Sequence, residues 1–147
     1  MNIDFRNLKT EDMQRAYALA RFSGENRAFS VWTSHVRDRG KDTENPSRLM
    51  GFYNEAGYLL GLCNLSVRKD RTCGKLLEIE DLFMNDIMVR PLLDELLPNL
   101  TRRATHNNCI AVHLILNKKQ ADESIFKDWL TNHGFTLKNS HWCLKLD

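Results

Sequence analysis

Ile79-Glu80-Asp81-Leu82-Phe83-Met84-Asn85-Asp86-Ile87-Met88-Val89-Arg90-Pro91-Leu92-Leu93 is the stretch on which the reading of this chain turns. Its first part belongs to a run, Lys75–Met84, with the two-residue period of a strand. Leu77, Ile79 and Phe83 share one face with Asp81, and Glu78, Glu80, Leu82 and Met84 share the other, provided no bulge intervenes. Its last part opens a different period. Leu92, Leu93, Leu96, Leu97 and Leu100 recur at i, i+1, i+4, i+5 and i+8, the stripe of a helix facing a core. Pro91 suits the first turn of that helix, whereas Pro98 is expected to kink or shorten it. Between strand and helix there is no glycine, and none occurs between Gly74 and Gly134. Phosphates bound here are therefore not cradled by a glycine-rich loop.

Upstream, Asn54-Glu55-Ala56-Gly57 separates two strand-like runs, about 48–54 and 58–69, and reads as a hairpin. Tyr58–Val67 begins apolar on both faces and should be central in a sheet. Ile3 and Phe5 alternate as a short first strand would. Thr10 reads as an N-cap ahead of Met13, Ala16, Tyr17 and Ala20, the stripe of a helix that Gly24 ends. Phe29, Trp32 and Val36 mark a second, short helix, followed by a loop through Arg37–Pro46 expected to be the most mobile part of the chain. A turn near Asp70–Gly74 precedes the quoted strand. Downstream, Ile110–Leu116 is an apolar strand interrupted by His113. Asp122–His133 is a helix closed by Gly134, and Phe135–Leu146 is a strand region, whole or split in two. The order β-α-α-β-β-β-α-β-α-β makes an α/β (α+β) fold, a mixed sheet with helices on both sides, in one domain spanning residues 1–147.

Bulk properties narrow the function. A chain of 147 residues with 42% hydrophobic and 27% charged residues is ordinary for one globular domain. A net charge of +2 gives no footprint for nucleic acid or an anionic membrane. The start Met1-Asn2-Ile3-Asp4 lacks the basic and apolar regions of a secretory signal, and no apolar run approaches the roughly 18 residues that span a bilayer. Cys63, Cys73, Cys109 and Cys143 form no C-x-x-C pair, so reduced thiols and a cytoplasmic location are expected. His141 and Cys143 share a strand face but fall short of a four-ligand zinc set, so no metal is expected.

The order of elements resembles that of the GNAT superfamily of N-acetyltransferases over nearly the whole chain. Three segments carry the likeness. Glu55-Ala56-Gly57-Tyr58-Leu59-Leu60-Gly61 resembles the family's acidic-glycine turn followed by an apolar pair and glycine. Ile79–Met84 is similar to the fourth strand of its small-amine acetyltransferases. His133-Gly134-Phe135 resembles its closing Gly-Phe. The resemblance implies a mostly antiparallel central sheet, acetyl-CoA as cofactor and a small-molecule amine as substrate. It also implies that the backbone of Leu82, Phe83 and Met84 pairs with pantetheine and polarises the acetyl carbonyl. A homodimer is an open arrangement.

The quoted stretch also departs from the family. Where relatives carry R/Q-x-x-G-x-G/A, whose amides hold the coenzyme pyrophosphate, this chain has Asn85–Leu93, shorter and without glycine. Pro91 supplies no amide donor, and Asp86 places a negative charge near an anionic ligand. Arg90 is the compensating group, able to make a bidentate phosphate contact. The family's helix tyrosine, a frequent general acid, falls on Leu130.

Acyl transfer to an amine needs a base and an oxyanion donor. By resemblance Glu80 is the base, with Glu78 as runner-up; as a plain surface residue Glu80 would instead pair with Arg68 or Arg71. Asp81, among apolar residues, either binds a cationic substrate or caps a backbone group at a bulge. Trp32, His35 and Arg27 line a helix where the family builds its acceptor pocket, with a core role for Trp32 equally open. His113 reads as a core histidine, and Lys118-Lys119 and Arg102-Arg103 as solvated charge pairs. Three functions follow: an acyl-CoA-dependent N-acetyltransferase on a small amine, a catalytically inactive GNAT-fold binding or regulatory protein that has lost coenzyme A pyrophosphate binding, or a ligand-binding module that uses the same cleft without coenzyme A.

Overall fold

A computed structural model describes residues 2–70, 74–138 and 141–146. Seven strands and five helices alternate as β1 (Asp4–Asn7), α1 (Met13–Phe22), α2 (Phe29–Gly40), β2 (Arg48–Tyr53), β3 (Leu59–Asp70), β4 (Gly74–Met84), α3 (Val89–His106), β5 (Ala111–Leu114), α4 (Lys118–Ala121), α5 (Ser124–Asn132), β6 (Thr136–Lys138) and β7 (His141–Lys145). The strands form one sheet in the order β1-β2-β3-β4-β5-β7-β6. Every pairing is antiparallel except β4 with β5. That pair is parallel because the long helix α3 returns the chain to the same end of the sheet.

Side chains alternate across the sheet and divide the core between its faces. Cys63, Leu65, Leu77 and Ile79 pack with Leu92, Leu93, Leu96 and Leu100 of α3 and with Phe126, Trp129 and Leu130 of α5. Leu62 and Phe83 pack with Ala16 and Ala20 of α1 and Trp32 of α2. Burying each large apolar side chain is worth about 1.5–3 kcal/mol. The leucine stripe therefore keeps α3 helical past Pro98, whose missing amide costs about 3 kcal/mol in a helix interior. The helix runs on past Pro98 to His106, so the expected shortening does not occur.

The hairpin forms as expected. Asn54 Oδ1 accepts the Tyr58 amide at 2.9 Å, and Gly57 takes a φ of +85°, which glycine adopts without strain. The end of α5 matches too: the Phe135 amide reaches the Leu130 carbonyl at 3.0 Å, past Gly134 at φ +88°. The terminal run divides into β6 and β7.

Two local expectations are corrected. Thr10–Asp12 form a 3-10 turn and α1 begins only at Met13, so Thr10 is not its N-cap. Helix α2 continues to Gly40, turning Arg37–Gly40 of the expected loop into helix. The final helix, α5, falls within the expected Asp122–His133, and Asn117 caps an additional short helix, α4, ahead of it. The expected turn at Asp70–Gly74, with Arg71 and Cys73, lies in part outside the described residues.

The correction that matters most is in β4. Leu62 pairs with Phe83 and Asn64 with Glu80, so Cys63 of β3 faces both Asp81 and Leu82. This is a bulge, and Asp81 sits in it at φ +51°. One extra residue reverses the faces beyond it. Leu82 and Met84 join Leu77 and Ile79 against α3. Phe83 crosses to the α1–α2 side.

Candidate functional site

The bulge gathers acidic groups beneath α2. The α2-facing residues of β3 and β4 are Asn64, Ser66 and Arg68, and Glu78 and Glu80. Because α2 runs to Gly40, His35 and Arg39 lie one turn apart over them. Arg39 Nη1 is 2.5 Å from Glu80 Oε2 and 3.9 Å from Asp81 Oδ2. Arg68 Nη1 is 3.0 Å from Glu78 Oε2, and Glu78 is only 5% exposed. Asn64, itself buried, donates to Asp81 Oδ2 at 2.8 Å. A cleft of about 390 Å³ opens between Arg39, Ser66, Arg68, Glu78 and Glu80, with His35, Asp42 and Asn45 completing its wall.

Neighbouring charges reinforce this arrangement. Arg27 grips Glu25 bidentately at 2.7 and 2.9 Å and holds its carboxyl below the usual glutamate range, against the opposing effect of burial. The same pair raises Arg27, to which Asp81 adds a smaller attraction. Asp42 accepts the Asn45 and Glu44 amides at 3.0 and 2.9 Å, which lowers its carboxyl. In the cleft wall, Asp42, Glu78 and Glu80 thus face the guanidiniums of Arg39 and Arg68, with Asp81 3.9 Å from Arg39, a small excess of negative charge that suits a cationic guest.

Of the residues singled out in the sequence, Glu78, Glu80, Asp81 and His35 come together here. Glu80 pairs with Arg39 and not with Arg68, which belongs to Glu78; Arg71 lies outside the described residues. Asp81 sits at a bulge, but its partner is the Asn64 side chain and not a backbone group. Trp32 is fully buried beside Leu62 and Phe83, so it is core and not cleft wall, and its Nε1 has no hydrogen-bond partner. Arg27 precedes α2 and does not line the cleft; its carbonyl accepts the Tyr17 hydroxyl at 2.6 Å. His113 stands in register between Glu78 and Cys143. The sequence reading missed Arg39 and Asn64. Arg39 was legible as i+4 from His35 once the helix is extended, whereas Asn64 carried no local signal.

Leu82, Phe83, Met84 and Arg90 lie at the other end of β4. The ladder to β5 ends with the Ile115 amide on the Ile79 carbonyl at 2.9 Å, while β4 runs on to Met84. The strands therefore part, but the Leu82 carbonyl is already taken by the side-chain amide of Gln120, a buried residue of α4. Beyond Met84, the Asn85 amide goes to the Leu60 carbonyl at 2.9 Å and the Met88 amide to the Asn85 carbonyl at 3.0 Å. The Ile87 amide goes to Asn85 Oδ1 at 3.1 Å. Three donors of this connection are committed internally, Pro91 has none, and Asp86 lies in the turn. Arg90 is exposed at the start of α3. Leu130, in place of the family's tyrosine, is fully buried. The residues present do not fit the pyrophosphate of coenzyme A.

Among the described residues no cluster of His, Cys, Asp and Glu could hold a metal ion, and no helix is long and apolar enough to cross a membrane.

No protein-family model and no curated protein matches the chain by sequence. Solved structures match it along its length. A GNAT-family acetyltransferase from Staphylococcus aureus Mu50 superposes with a TM-score of 0.69 at 12% identity, over 99% of this chain and 100% of that one. Spermidine N-acetyltransferase from Vibrio cholerae, solved with CoA and spermine, gives 0.68 at 12% identity, over 97% and 95%. An aminoglycoside 6′-N-acetyltransferase from Acinetobacter baumannii gives 0.70 at 13% identity, over 92% of each. With the sheet order, the bulged fourth strand and the parting of β4 from β5, this likeness establishes that the chain has the GNAT fold.

Proposed function

We propose that this chain is a GNAT-fold binding protein that receives a small amine in the carboxylate-rich cleft under α2 and has lost the means to grip coenzyme A by its pyrophosphate. The observation that carries the reading is the connection after β4, whose Asn85, Ile87 and Met88 amides are all committed within the protein. The amine class is supported by the three carboxylates that line the cleft against two guanidiniums, and by structural neighbours whose names include spermidine and an aminoglycoside as substrates. Calorimetric titration tests it. Spermidine is expected to bind with an affinity that falls as salt rises, while acetyl-CoA gives no saturable heat up to about 1 mM. Absence of spermidine binding removes the amine reading.

A second reading is an acetyl-CoA-dependent N-acetyltransferase acting on a small amine by direct transfer, with Glu80 or Glu78 as base. The parting of β4 from β5 beyond Ile79 favours it. Saturable acetyl-CoA binding, weakened by Arg90→Ala and accompanied by an acetylated amine product, would establish this reading in place of the first.

A further inference from the structure

The parting of β4 from β5 creates an edge on which an extended chain bearing secondary amides could pair, and the protein fills that edge itself. Gln120 is 3% exposed and donates to the Leu82 carbonyl. Its placement is braced from several sides. Asn117 Oδ1 accepts the Gln120 amide at 2.8 Å, and Gln120 Oε1 accepts the Asn117 amide at 3.3 Å, a reciprocal cap that orders α4. Asn117 Nδ2 then donates to the Ser23 carbonyl at 2.8 Å and Lys119 Nζ to the Phe22 carbonyl at 2.7 Å, tying α4 to the end of α1. The approach is close: a Cβ on Gly24 would lie 3.1 Å from Asn117 Nδ2 and 3.3 Å from Lys119 Cβ. What remains between Ser23, Met84, Val89, Gln120 and Phe126 is a void of about 10 Å³, room for at most one water.

We infer that Gln120 is a specificity-determining residue that excludes an extended amide-bearing chain, of the pantetheine kind, from the free edge of β4. Its side-chain amide supplies the hydrogen bond such a chain would donate to Leu82, and its bulk fills the slot. Loss of the phosphate grip and closure of the slot are separate features of this chain. The inference rests on the reading that the fold has parted from its coenzyme, and it concerns a different portion of that ligand.

Pantetheine, which carries no phosphate, isolates the slot from the connection after β4. It is titrated against wild type, Gln120→Ala and Gln120→Met, followed by amide chemical shifts of β4 and residues 115–121. Circular dichroism verifies that each variant is folded. Wild type and Gln120→Met, which keeps the bulk, show no saturation at about 1 mM. Gln120→Ala binds at least about tenfold more tightly, the factor that one recovered hydrogen bond brings. If Gln120→Ala does not fold, Asn117→Ala, which releases α4 from its cap and from Ser23, is expected to gain binding in its place. A folded opened variant that binds pantetheine no better than wild type overturns the inference and leaves the lost-coenzyme reading intact. Acetyl-CoA binding by wild type overturns that reading instead; the role of Gln120 then stands if Gln120→Ala tightens the binding and falls if it does not.

Discussion

The side-chain amide of Asn64 on β3 meets Asp81 of β4 at 2.8 Å, at the place where two residues of β4 face a single residue of β3. Asn64 is 2% exposed, and its only side-chain bond among the described residues is this one. The pair pins the bulge, and the bulge decides which side chains of β4 reach the cleft and which reach α3. Asn64→Ala takes a donor from a partly buried carboxylate and is expected to cost about 1–3 kcal/mol in urea unfolding at neutral pH. A loss below a few tenths would show that the bulge stands without it.

Asp81 also bears the left-handed backbone of that bulge. Both Asp81→Ala and Asp81→Gly lose the bond to Asn64, but only glycine relaxes the backbone. Asp81→Gly is therefore expected to be more stable than Asp81→Ala by about 1 kcal/mol, measured as the difference in unfolding free energies. Equal stabilities would mean that the backbone changes conformation once the aspartate is gone.

Gly61 lies where β3 crosses the end of β4. A Cβ there would stand 2.8 Å from Phe52 Cδ2 and 2.9 Å from the Phe83 carbonyl oxygen, and the latter is backbone that cannot step aside. Gly61→Ala is expected to lower stability by about 1–3 kcal/mol through overpacking. Gly57→Ala, with open space around it, meets only the backbone preference for glycine at φ +85°.

Arg39 neutralises part of the cleft it closes. Arg39→Gln frees Glu80 and removes the guanidinium that stands 3.9 Å from Asp81, so spermidine should bind several-fold more tightly, with a steeper salt dependence. Unchanged affinity in calorimetry would place the amine elsewhere on the protein.

The Glu25–Arg27 pair supplies the pH dependence. The folded Glu25 carboxyl lies below its usual value because Arg27 hydrogen-bonds its ionised form. Its contribution is therefore complete above the unfolded glutamate value of about 4.3 and is lost as pH falls through the lower folded value. Urea midpoints of wild type and Glu25→Gln should differ most at neutral pH and converge in acid. A gap that stays constant down to pH values well below 4 would exclude the pair as its source.

Much of this architecture was legible in the sequence because it is local. The leucines from Leu92 to Leu100 carry a helix in their spacing alone, Asn54–Gly57 carries a hairpin in its turn chemistry, and Gly134 marks the end of α5. The absence of glycine after Met84 already determined that no glycine-rich phosphate loop could form there. What tertiary structure decided lies where strands or helices meet. The bulge at Asp81 depends on how β4 registers against β3; an aspartate among apolar residues hinted at one, but only the pairing with Cys63 fixes it. The length of α2 and the pairing of Arg39 with Glu80 depend on the sheet surface beneath them. Gln120, which reads as a polar residue in a charged segment, becomes a plug only because β4 outruns β5 and leaves the Leu82 carbonyl to be satisfied. Periodicity and turn preference are properties of a few consecutive residues. Register, strand parting and the filling of a buried acceptor are properties of segments distant in sequence, and they exist only once the chain has folded.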